Sequence, residues 1–461
     1  MSAVAPATVR PVEPATEVDP WVQPFARLES GALFPQQPAW VFPLRKAGLA
    51  RFAELGLPTL AHEDWRFTNV APLKGLPFAP TLAAPTQRLA DGELDARPFA
   101  RLPGDRLVFL DGHFVPGLSR VGTASGGGVV TSLAAAFRTH AGLLERHLTR
   151  YAHGSANPFT ALNDAYFTDG ALIHVPAGRV IEHPVQLVFV ASGEEEGRAQ
   201  HVRNLILAEA GSQFTVVEHY LGRGTATTVT NAVTEVVAAD QVVMDHLKFQ
   251  DESRAAYHFA AVHADLGRAS QVNLHSFALG SRVSRHNIHT ALNGEGLECV
   301  LNGLYLTDGD QLADHYMVVE HAQPHTASHE YFNGILEGRS RGVFHGRILV
   351  RPGAQKTDAK QTNKNLLLSD DATVNTKPQL EIYADDVKCT HGATVGQLPP
   401  EQIFYLRSRG LPLETARRML IHAFAGEIID RVRCAPLREE LDRLVWDRLE
   451  QDTQIQVGPH A

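Results

Sequence analysis

The sequence contains little cysteine, and its three cysteines lie far apart. Cys299, Cys389 and Cys434 are odd in number, and long stretches of chain separate them. A disulfide framework needs paired cysteines, so this usage argues against one and indicates a reducing compartment. We therefore expect the protein to be cytoplasmic.

Long apolar runs and an excess of positive charge are also missing. No run approaches the roughly 18 apolar residues that span a bilayer. The net charge of −9 over 461 residues argues against a nucleic-acid partner, which usually binds a basic surface. Residues 1–20 lack a basic stretch followed by an apolar one, so we expect a disordered leader there rather than a secretory signal. We expect neither a nucleic-acid nor a membrane partner.

The familiar catalytic motifs are missing as well. The chain has no G-x-x-x-x-G-K-[ST] phosphate loop, because the glycine run at 126–128 is not followed by a lysine. It also lacks the G-x-S-x-G, H-E-x-x-H and C-x-x-C patterns. These absences predict that the chain hydrolyses no nucleotide and performs no standard metallohydrolase chemistry by itself.

The sequence pattern divides the chain into helical ends and a β-rich centre. Residues 21–155 are expected to form a mainly helical region, with one helix ending at Gly56 and Pro58 and the clearest helix over Ser132–Leu148. Residues 398–461 are expected to form a C-terminal helical domain. Its first helix lies between Pro400 and Gly410. In the second, one apolar stripe contains Ala416, Met419, Leu420, Ala423, Phe424 and Ile428.

Residues 156–397 are expected to form the β-rich core, where short apolar runs alternate with small polar turns. Successive turns are separated by about 15 residues or twice that, which is typical of a repeat architecture. This spacing favours a β-solenoid, although a β-sandwich or jelly roll also spaces strands regularly. The predicted turn centres are Gly211, Asp240, Gly267, Gly296, Gly309, Gly338, Gly353, Asp370 and Asp385.

Histidines are concentrated between residues 286 and 345, and two interpretations of them are open. Imidazole is a common metal ligand, so the segment is a candidate metal-binding region. Pro324 breaks the helix that would align histidines four residues apart, which favours hydrogen-bonded histidines on strands and turns. The candidates are His286, His289, His315, His321, His325 and His329.

The stretch VKCTHGATVG, residues 387–396, places Cys389 two residues from His391. In a strand these two side chains point to the same face. The residues alone allow half of a metal site, a nucleophile with its base, or two ordinary core side chains. Two ligands are too few for a closed zinc site, so any metal site needs further ligands from elsewhere.

Two long stretches of the C-terminal third carry a resemblance to a known family. GRILVRPGAQKTDAKQTNKNLLLSDDATVNTKPQLEIYADDVKCTHGATVG and PPEQIFYLRSRGLPLETARRMLIHAFAGEIIDRV closely resemble the SufB/SufD family of iron–sulfur cluster assembly proteins. HEDWRFTNV, residues 62–70, is similar to the tryptophan motif that precedes the family's core. The run from Lys388 to Thr394 resembles SufD rather than SufB, which typically has glutamate after the corresponding histidine.

The resemblance implies a right-handed parallel β-helix flanked by helical regions and a role as a non-catalytic scaffold subunit. Such a subunit pairs with a SufB-like subunit through its last β-helix strands and also binds a SufC-like ABC ATPase. A cysteine desulfurase system supplies sulfur indirectly. The implied cofactor is a transient Fe–S cluster at the partner interface, with His391 as its metal ligand and Cys389 beside it. No cofactor is expected to bind the isolated chain tightly.

The resemblance also places the ATPase-docking surface on the C-terminal helices. Whether the chain forms a homodimer when it is alone is a question that the sequence leaves open. The residues taken as candidates for docking are Phe404, Tyr405, Arg409, Met419 and Phe424. Two other functions are kept as alternatives: a stand-alone β-solenoid enzyme acting on carbohydrate, and a histidine-rich metal-binding protein.

Overall fold

The computed structural model describes residues 20–29, 37–86, 88–90, 92–122, 127–152 and 157–456, with side chains described up to residue 450. The leader predicted over 1–20 lies outside the described residues except for Pro20. Strands hold 40% of the described residues and helices 24%, so this part of the protein is mainly β.

Helices lie on both sides of the β-rich core. The predicted helix that stops at Gly56 is present. Gly56 ends this helix with a φ of +62°, and its N–H bonds back to the last turn of the helix. The helices are α1 (Ala26–Glu29), α2 (Val41–Leu55), α3 (Leu133–Thr139), α4 (Ala141–His147), α5 (Pro158–Tyr166), α6 (Pro400–Ser408), α7 (Leu413–Ile429) and α8 (Ala435–Gln456).

The strands alternate between two sheets as the chain advances, which confirms the predicted β-solenoid of about eight turns. Its handedness stays a prediction. Sheet A contains β1 (Ala79–Pro80), β4 (Val129–Ser132), β5 (Ala171–Val175), β7 (Arg198–Ala208), β9 (Thr228–Ala238), β11 (Tyr257–Leu266), β13 (Val283–Leu292), β15 (Leu312–His321), β17 (Arg341–Val350) and β19 (Thr373–Ile382). Sheet B contains β2 (Arg106–Leu110), β3 (His113–Phe114), β6 (Val185–Ala191), β8 (Gln213–Gly222), β10 (Val243–Asp251), β12 (Gln271–Ala278), β14 (Glu298–Thr307), β16 (Ala327–Leu336), β18 (Asp358–Leu367) and β20 (Lys388–Gly396).

Parallel pairing keeps each inward residue in line with its counterpart one turn later. One such column in sheet B runs through Met244, Val272 and Cys299. These side chains belong to the continuous core between the sheets. Burying matched apolar columns removes their surface from water at every turn, which is the main source of a solenoid's stability.

The turns fall at or beside the predicted centres, and one pair explains why glycine is needed there. Gly309 and Gly338 occupy equivalent turns with φ of +54° and +65°. A Cβ on Gly338 would lie 2.8 Å from the backbone nitrogen of Gly309. Glycine therefore satisfies both the left-handed backbone conformation and the close stacking of turns.

The C-terminal helices pack against the outer face of sheet B. Asn302 Nδ2 donates to the Ile428 carbonyl at 3.0 Å, and Asn333 Nδ2 donates to the Phe424 carbonyl at 2.9 Å. These bonds fix α7 across β14 and β16. The last β-strand ends at Gly396 and α6 begins at Pro400, on either side of the boundary predicted at 397.

The predicted apolar stripe on α7 is wrong in part. Ala416 and Ile428 are buried, but Met419 and Ala423 are exposed. The buried face is formed instead by Ala416, Ile421, Ala425, Ile428 and Ile429. Because α7 is buried by both sheet B and α8, and is apolar around much of its circumference, helical spacing alone allowed more than one stripe.

The N-terminal region differs from its prediction in two details. Ser132–Leu148 forms two helices rather than one, because His140 leaves the helical conformation with φ −135° and ψ 28°. Strands β2 and β4 lie before the predicted core boundary at 156, yet they extend the two sheets.

Among the helices of the described residues, none combines the length and the apolar character of a membrane span.

Candidate functional site

Cys389 and His391 lie on β20, the last strand of sheet B. β20 pairs in parallel with β18, which brings Cys389 into register with Ala359 and His391 into register with Gln361. Cys389 packs against the core between the sheets. His391 is two residues further along the same strand, so its side chain projects from the same inward face.

The Cys389 thiol is half-buried and is not prepared to act as a nucleophile. Burial raises the pKa of the thiol, the Asp358 carboxylate raises it further, and the Ala359 N–H opposes both by hydrogen bonding to the sulfur. The protonated thiol is the weaker nucleophile and metal ligand. The Cα atoms of residues i and i+2 on a strand lie about 6.6 Å from each other, so the spacing also holds the sulfur away from the imidazole.

His391 is exposed although it lies on the inward face. Within the described residues β20 has β18 as its only strand neighbour, so nothing covers the interior beyond it. Val395 on the same strand is 51% exposed, and Tyr383 after β19 is 62% exposed. The solenoid therefore ends with its interior open to solvent, and the site lies at that opening, which we call the open end (β19 and β20).

A row of carboxamides lies directly behind β20. The inward residues Gln361, Asn363 and Asn365 of β18 are at most 4% exposed. Asn365 Nδ2 donates to Asn363 Oδ1 at 2.7 Å, and Asn363 Nδ2 donates to the Phe332 carbonyl at 3.2 Å. Sequence reasoning missed this row. The alternation of amides in KQTNKN was a usable signal, but its position behind His391 depends on the register between turns.

Glu330 lies one turn behind Gln361 and is fully buried. It is in register with Gln361, whose Nε2 donates to Glu330 Oε1 at 3.2 Å. Burial raises the pKa of Glu330 to about 8, against the opposing effect of that hydrogen bond. The carboxyl group is therefore largely protonated at neutral pH.

The clustered histidines lie on strands and turns, as the second interpretation predicted. His286 Nδ1 and His315 Nε2 both contact Ser276 Oγ, at 3.0 and 3.1 Å. His321 lies within hydrogen-bond distance of the hydroxyls of Thr326 and Ser328. No group of three or more His, Cys, Asp or Glu side chains among the described residues is arranged to hold a metal ion.

The candidate docking residues divide into an exposed group and one inward-facing member. Phe404 and Tyr405 on α6 are 75% and 57% exposed, and Met419 on α7 is also exposed. The Arg409 guanidinium lies 5.2 Å from the Tyr405 ring. Phe424 instead packs partly against the core beneath the C-terminal helices. Exposed aromatic side chains next to cationic ones are typical of protein-binding surfaces.

The tryptophan motif is bound to the outer face of sheet A. Trp65 is buried, with its ring 5.4 Å from that of Phe159 and 3.9 Å from the Arg285 guanidinium. Arg285 Nη1 donates to the Asp64 carbonyl at 2.8 Å. The motif therefore attaches the N-terminal region to the solenoid, and it reaches β19 of the open end through Glu63, whose Oε1 accepts from Lys377 Nζ at 2.5 Å.

The fold and the site together define a β-solenoid that carries a cysteine–histidine pair at an open end. The family model described as "SUF system FeS cluster assembly, SufBD core domain" matches residues 189–424. The model "SufBD protein N-terminal region" matches residues 28–187. The chain belongs to the SufB/SufD family of the SUF iron–sulfur cluster assembly system.

Relatives from three bacteria agree with this assignment. The iron–sulfur cluster assembly protein SufD of Escherichia coli is 35% identical over 412 residues, covering 88% of this chain and 93% of the relative. A SufBD family protein of Synechocystis is 32% identical over 412 residues, covering 87% and 89%. SufD of Bacillus subtilis is 27% identical over 424 residues, covering 88% and 93%.

Proposed function

We propose that this chain is a non-catalytic, SufD-like scaffold subunit of iron–sulfur cluster assembly. In this role it pairs with a SufB-like subunit through the open end and binds a SufC-like ABC ATPase through its C-terminal helices. A cysteine desulfurase system supplies sulfur indirectly, and assembly takes place in the cytoplasm. The nascent cluster is the cargo of the complex, not a resident cofactor of the isolated chain.

The observation that carries this proposal is the open end itself. The outer edges of β19 and β20 leave backbone hydrogen-bonding groups unpaired within the described part of the chain. Exposed apolar side chains, including Val395 and Tyr383, lie beside these edges. A strand edge of this kind favours pairing with another chain, which supports either a SufB-like partner or, when the chain is alone, a second copy of itself.

The side chains at the open end suit iron–sulfur chemistry once a partner adds ligands. Imidazole is a good ligand for iron, and thiolate is the usual ligand of iron–sulfur clusters. The raised pKa of the Cys389 thiol means that it must lose its proton when it binds iron. His391 is exposed at the open end, so we assign the main ligand role to His391 and a supporting one to Cys389.

The exposed face of α6 and the adjoining part of α7 support the proposed ATPase contact. Phe404, Tyr405, Arg409 and Met419 supply exposed aromatic, cationic and flexible apolar side chains in the C-terminal domain. We propose that Phe424 acts beneath this surface by holding α7 in place, because it packs partly inward.

The test is to co-express the tagged chain with SufB-like and SufC-like proteins and measure iron and sulfide in the purified complex. His391→Ala should leave the complex intact but lower its iron and sulfide. It should also fail to complement a strain lacking SufD. His183→Ala is the matched control, since His183 is exposed on a loop away from the open end. Normal iron, sulfide and complementation in the His391→Ala complex would remove His391 from the mechanism.

A second variant tests the proposed ATPase surface separately. Phe404→Glu places a charge at the most exposed aromatic side chain of α6 and should abolish co-purification of the ATPase while the SufB-like subunit is retained. Phe67→Glu, at an exposed phenylalanine of the N-terminal region, should retain both partners. Retention of the ATPase by the Phe404 variant would place the docking surface elsewhere.

A further inference from the structure

A cavity of about 370 Å³ lies on the outer face of sheet A, beside the tryptophan motif. Its floor is a single outward column in which His263, His289, Val318 and Arg347 are register partners on β11, β13, β15 and β17. Trp65 lines the cavity as well. Cavities of this size that combine apolar side chains with a few polar ones are the usual form of a small-molecule site.

Arg347 is bonded less completely than a neighbouring arginine. Its Nε has no hydrogen-bond partner among the described residues, and its Nη1 lies 3.7 Å from Glu381 Oε1, beyond hydrogen-bond distance. Arg351 differs, because its Nε donates to Glu320 Oε1 at 2.7 Å. A guanidinium donor without an acceptor costs free energy when it is removed from water, so a ligand oxygen beside Arg347 would be stabilised.

His263 and His289 place further donors on the other side of Val318. Their rings lie 5.6 Å apart, and burial lowers the pKa of His289, an effect that Glu320 opposes and Arg347 adds to. A neutral imidazole still has one N–H donor. Val318 separates His289 from Arg347, and alternate strands of a sheet lie about 10 Å apart. An anionic group above Val318 is therefore within reach of both side chains.

The acidic side chains around the cavity have donors of their own. Asp64, which lines it, accepts from the Tyr316 hydroxyl. Glu381 Oε1 accepts from Gln379 Nε2 at 2.9 Å. Glu235, at the β9 end of the column, accepts from three backbone N–H groups. These carboxylates are therefore bonded without the arginine of the floor, whose donors remain for a ligand.

We propose that this cavity binds a small organic anion: a carboxylate or phosphate group held by Arg347 and His289 above Val318, with an apolar body against Trp65 and Tyr316. Guanidinium and imidazole donors suit anionic oxygens, and the aromatic side chains remove the apolar body from water. The cavity lies on the outer face of sheet A, so this site is separate from the cysteine–histidine pair at the open end.

The first experiment measures binding to the full chain by calorimetry and by NMR of labelled histidine. The probes are phenyl phosphate, compared with inorganic phosphate, and benzoate, compared with benzyl alcohol. Phenyl phosphate or benzoate should bind and shift the signals of His263 and His289, which are assigned with His263→Gln and His289→Gln. Each comparison compound lacks one half of the proposed ligand and should bind about tenfold more weakly or less. Equal binding within either pair, or no binding of either organic anion, would overturn the proposal.

A variant of the floor separates specific binding from a general effect of charge. Arg347→Met keeps an apolar side chain but removes the donors, and it should weaken the binding of phenyl phosphate by about tenfold or more. Arg339→Met is the matched control, since Arg339 pairs with Asp310 and both side chains are exposed. The control should bind like the unmodified chain. Unchanged affinity in the Arg347 variant, or an equal loss in the control, would overturn the proposal.

Two further variants change the charge at the site in opposite ways. Glu381→Gln removes the carboxylate that lies 3.7 Å from Arg347 and should tighten the binding of phenyl phosphate. Val318→Glu places a carboxylate at the position of the ligand anion and should abolish binding. Weaker binding in the Glu381 variant, or full binding in the Val318 variant, would overturn the assignment of the anion to this floor. Circular dichroism melts of each variant establish that the chain is folded in every comparison.

Discussion

The two ends of the solenoid are built from the same repeat but are finished differently. At the first end, β3 pairs antiparallel with β2, and β4 pairs antiparallel with β5. Phe109, Val130 and Phe114 from these strands pack into the core. At the open end, no described element covers the inward side chains of β19 and β20. The described chain covers one end itself and leaves the other end open.

The contrast is sharpest between neighbouring strands of one column. Ala359 on β18 is 1% exposed, whereas Cys389 in register on β20 is only half-buried. Their backbone conformation and facing are the same, so the missing next strand accounts for the difference. Position in the stack, rather than residue type, therefore decides which side chains are accessible at the open end.

The largest difference between the ends should appear in unfolding measurements. Phe189 lies between the rings of Phe109 and Tyr220, each 4.9 Å away. Phe189→Ala should lower the free energy of unfolding by about 3–5 kcal/mol, because it leaves a cavity in the closed core. Val395→Ala at the open end should change it by about 0.5 kcal/mol or less. Urea unfolding followed by circular dichroism measures both, and equal losses would contradict the contrast.

Glu330, which lies near the open end, should make the free energy of unfolding depend on pH. Its pKa is raised from 4.5 to about 8 in the folded chain, so the unfolded chain loses this proton first as the pH rises. The folded state should therefore lose stability between those two pH values and reach a constant level above them. Glu330→Gln should remove this slope and stabilise the chain at pH 8 by roughly 2–4 kcal/mol. Melting curves from pH 5 to pH 9 test this, and an unchanged slope in the variant would show that Glu330 is ionised.

A charge at the open end should affect assembly far more than folding. Val395→Lys places an ammonium group on β20 and should abolish both co-purification of the SufB-like subunit and self-association of the isolated chain. Val180→Lys is the control, since Val180 is 53% exposed and Val395 is 51% exposed. Either substitution should change the free energy of unfolding by about 0.5 kcal/mol or less. Loss of the partner from both variants, or from neither, would show that assembly does not depend on the open end.

The smallest expected effect concerns the reactivity of Cys389. Because burial and Asp358 raise the pKa of its thiol, alkylation by iodoacetamide should be slow at pH 7 and accelerate above pH 9. Asp358→Asn should speed the reaction severalfold at pH 7, and the SufB-like partner should protect Cys389 but not Cys434. Mass spectrometry of the alkylated peptides measures both rates. Equal protection of the two thiols would place the contact elsewhere.

Much of the local structure could be predicted from residue types, because local physics decides it. Gly56 ends its helix through a left-handed conformation, and Gly410 follows α6 with φ +90°. Turn residues marked the period of the solenoid. The predictions that were wrong in part, the single helix over Ser132–Leu148 and the stripe on α7, concern how helices meet the rest of the molecule.

The candidate site could be predicted only as far as the strand that carries it. Alternation along β20 places Cys389 and His391 on one face, which follows from their spacing of two residues. Glu330 and Gln361 could not be connected with them, because 61 and 30 residues respectively separate them from His391 in the sequence. Contact between such residues depends on the register between turns, which is set by the whole core.

Residue types and their spacing were therefore enough to predict the repeat, the turns, the shared face of Cys389 and His391, and the family. Each of these depends on residues close together in the chain or on motifs long enough to be specific. Only the three-dimensional stacking of the strands showed that the interior beyond β20 is open and that Gln361 lies behind His391. Stacking determines these features, because a strand is buried or exposed according to whether another strand follows it.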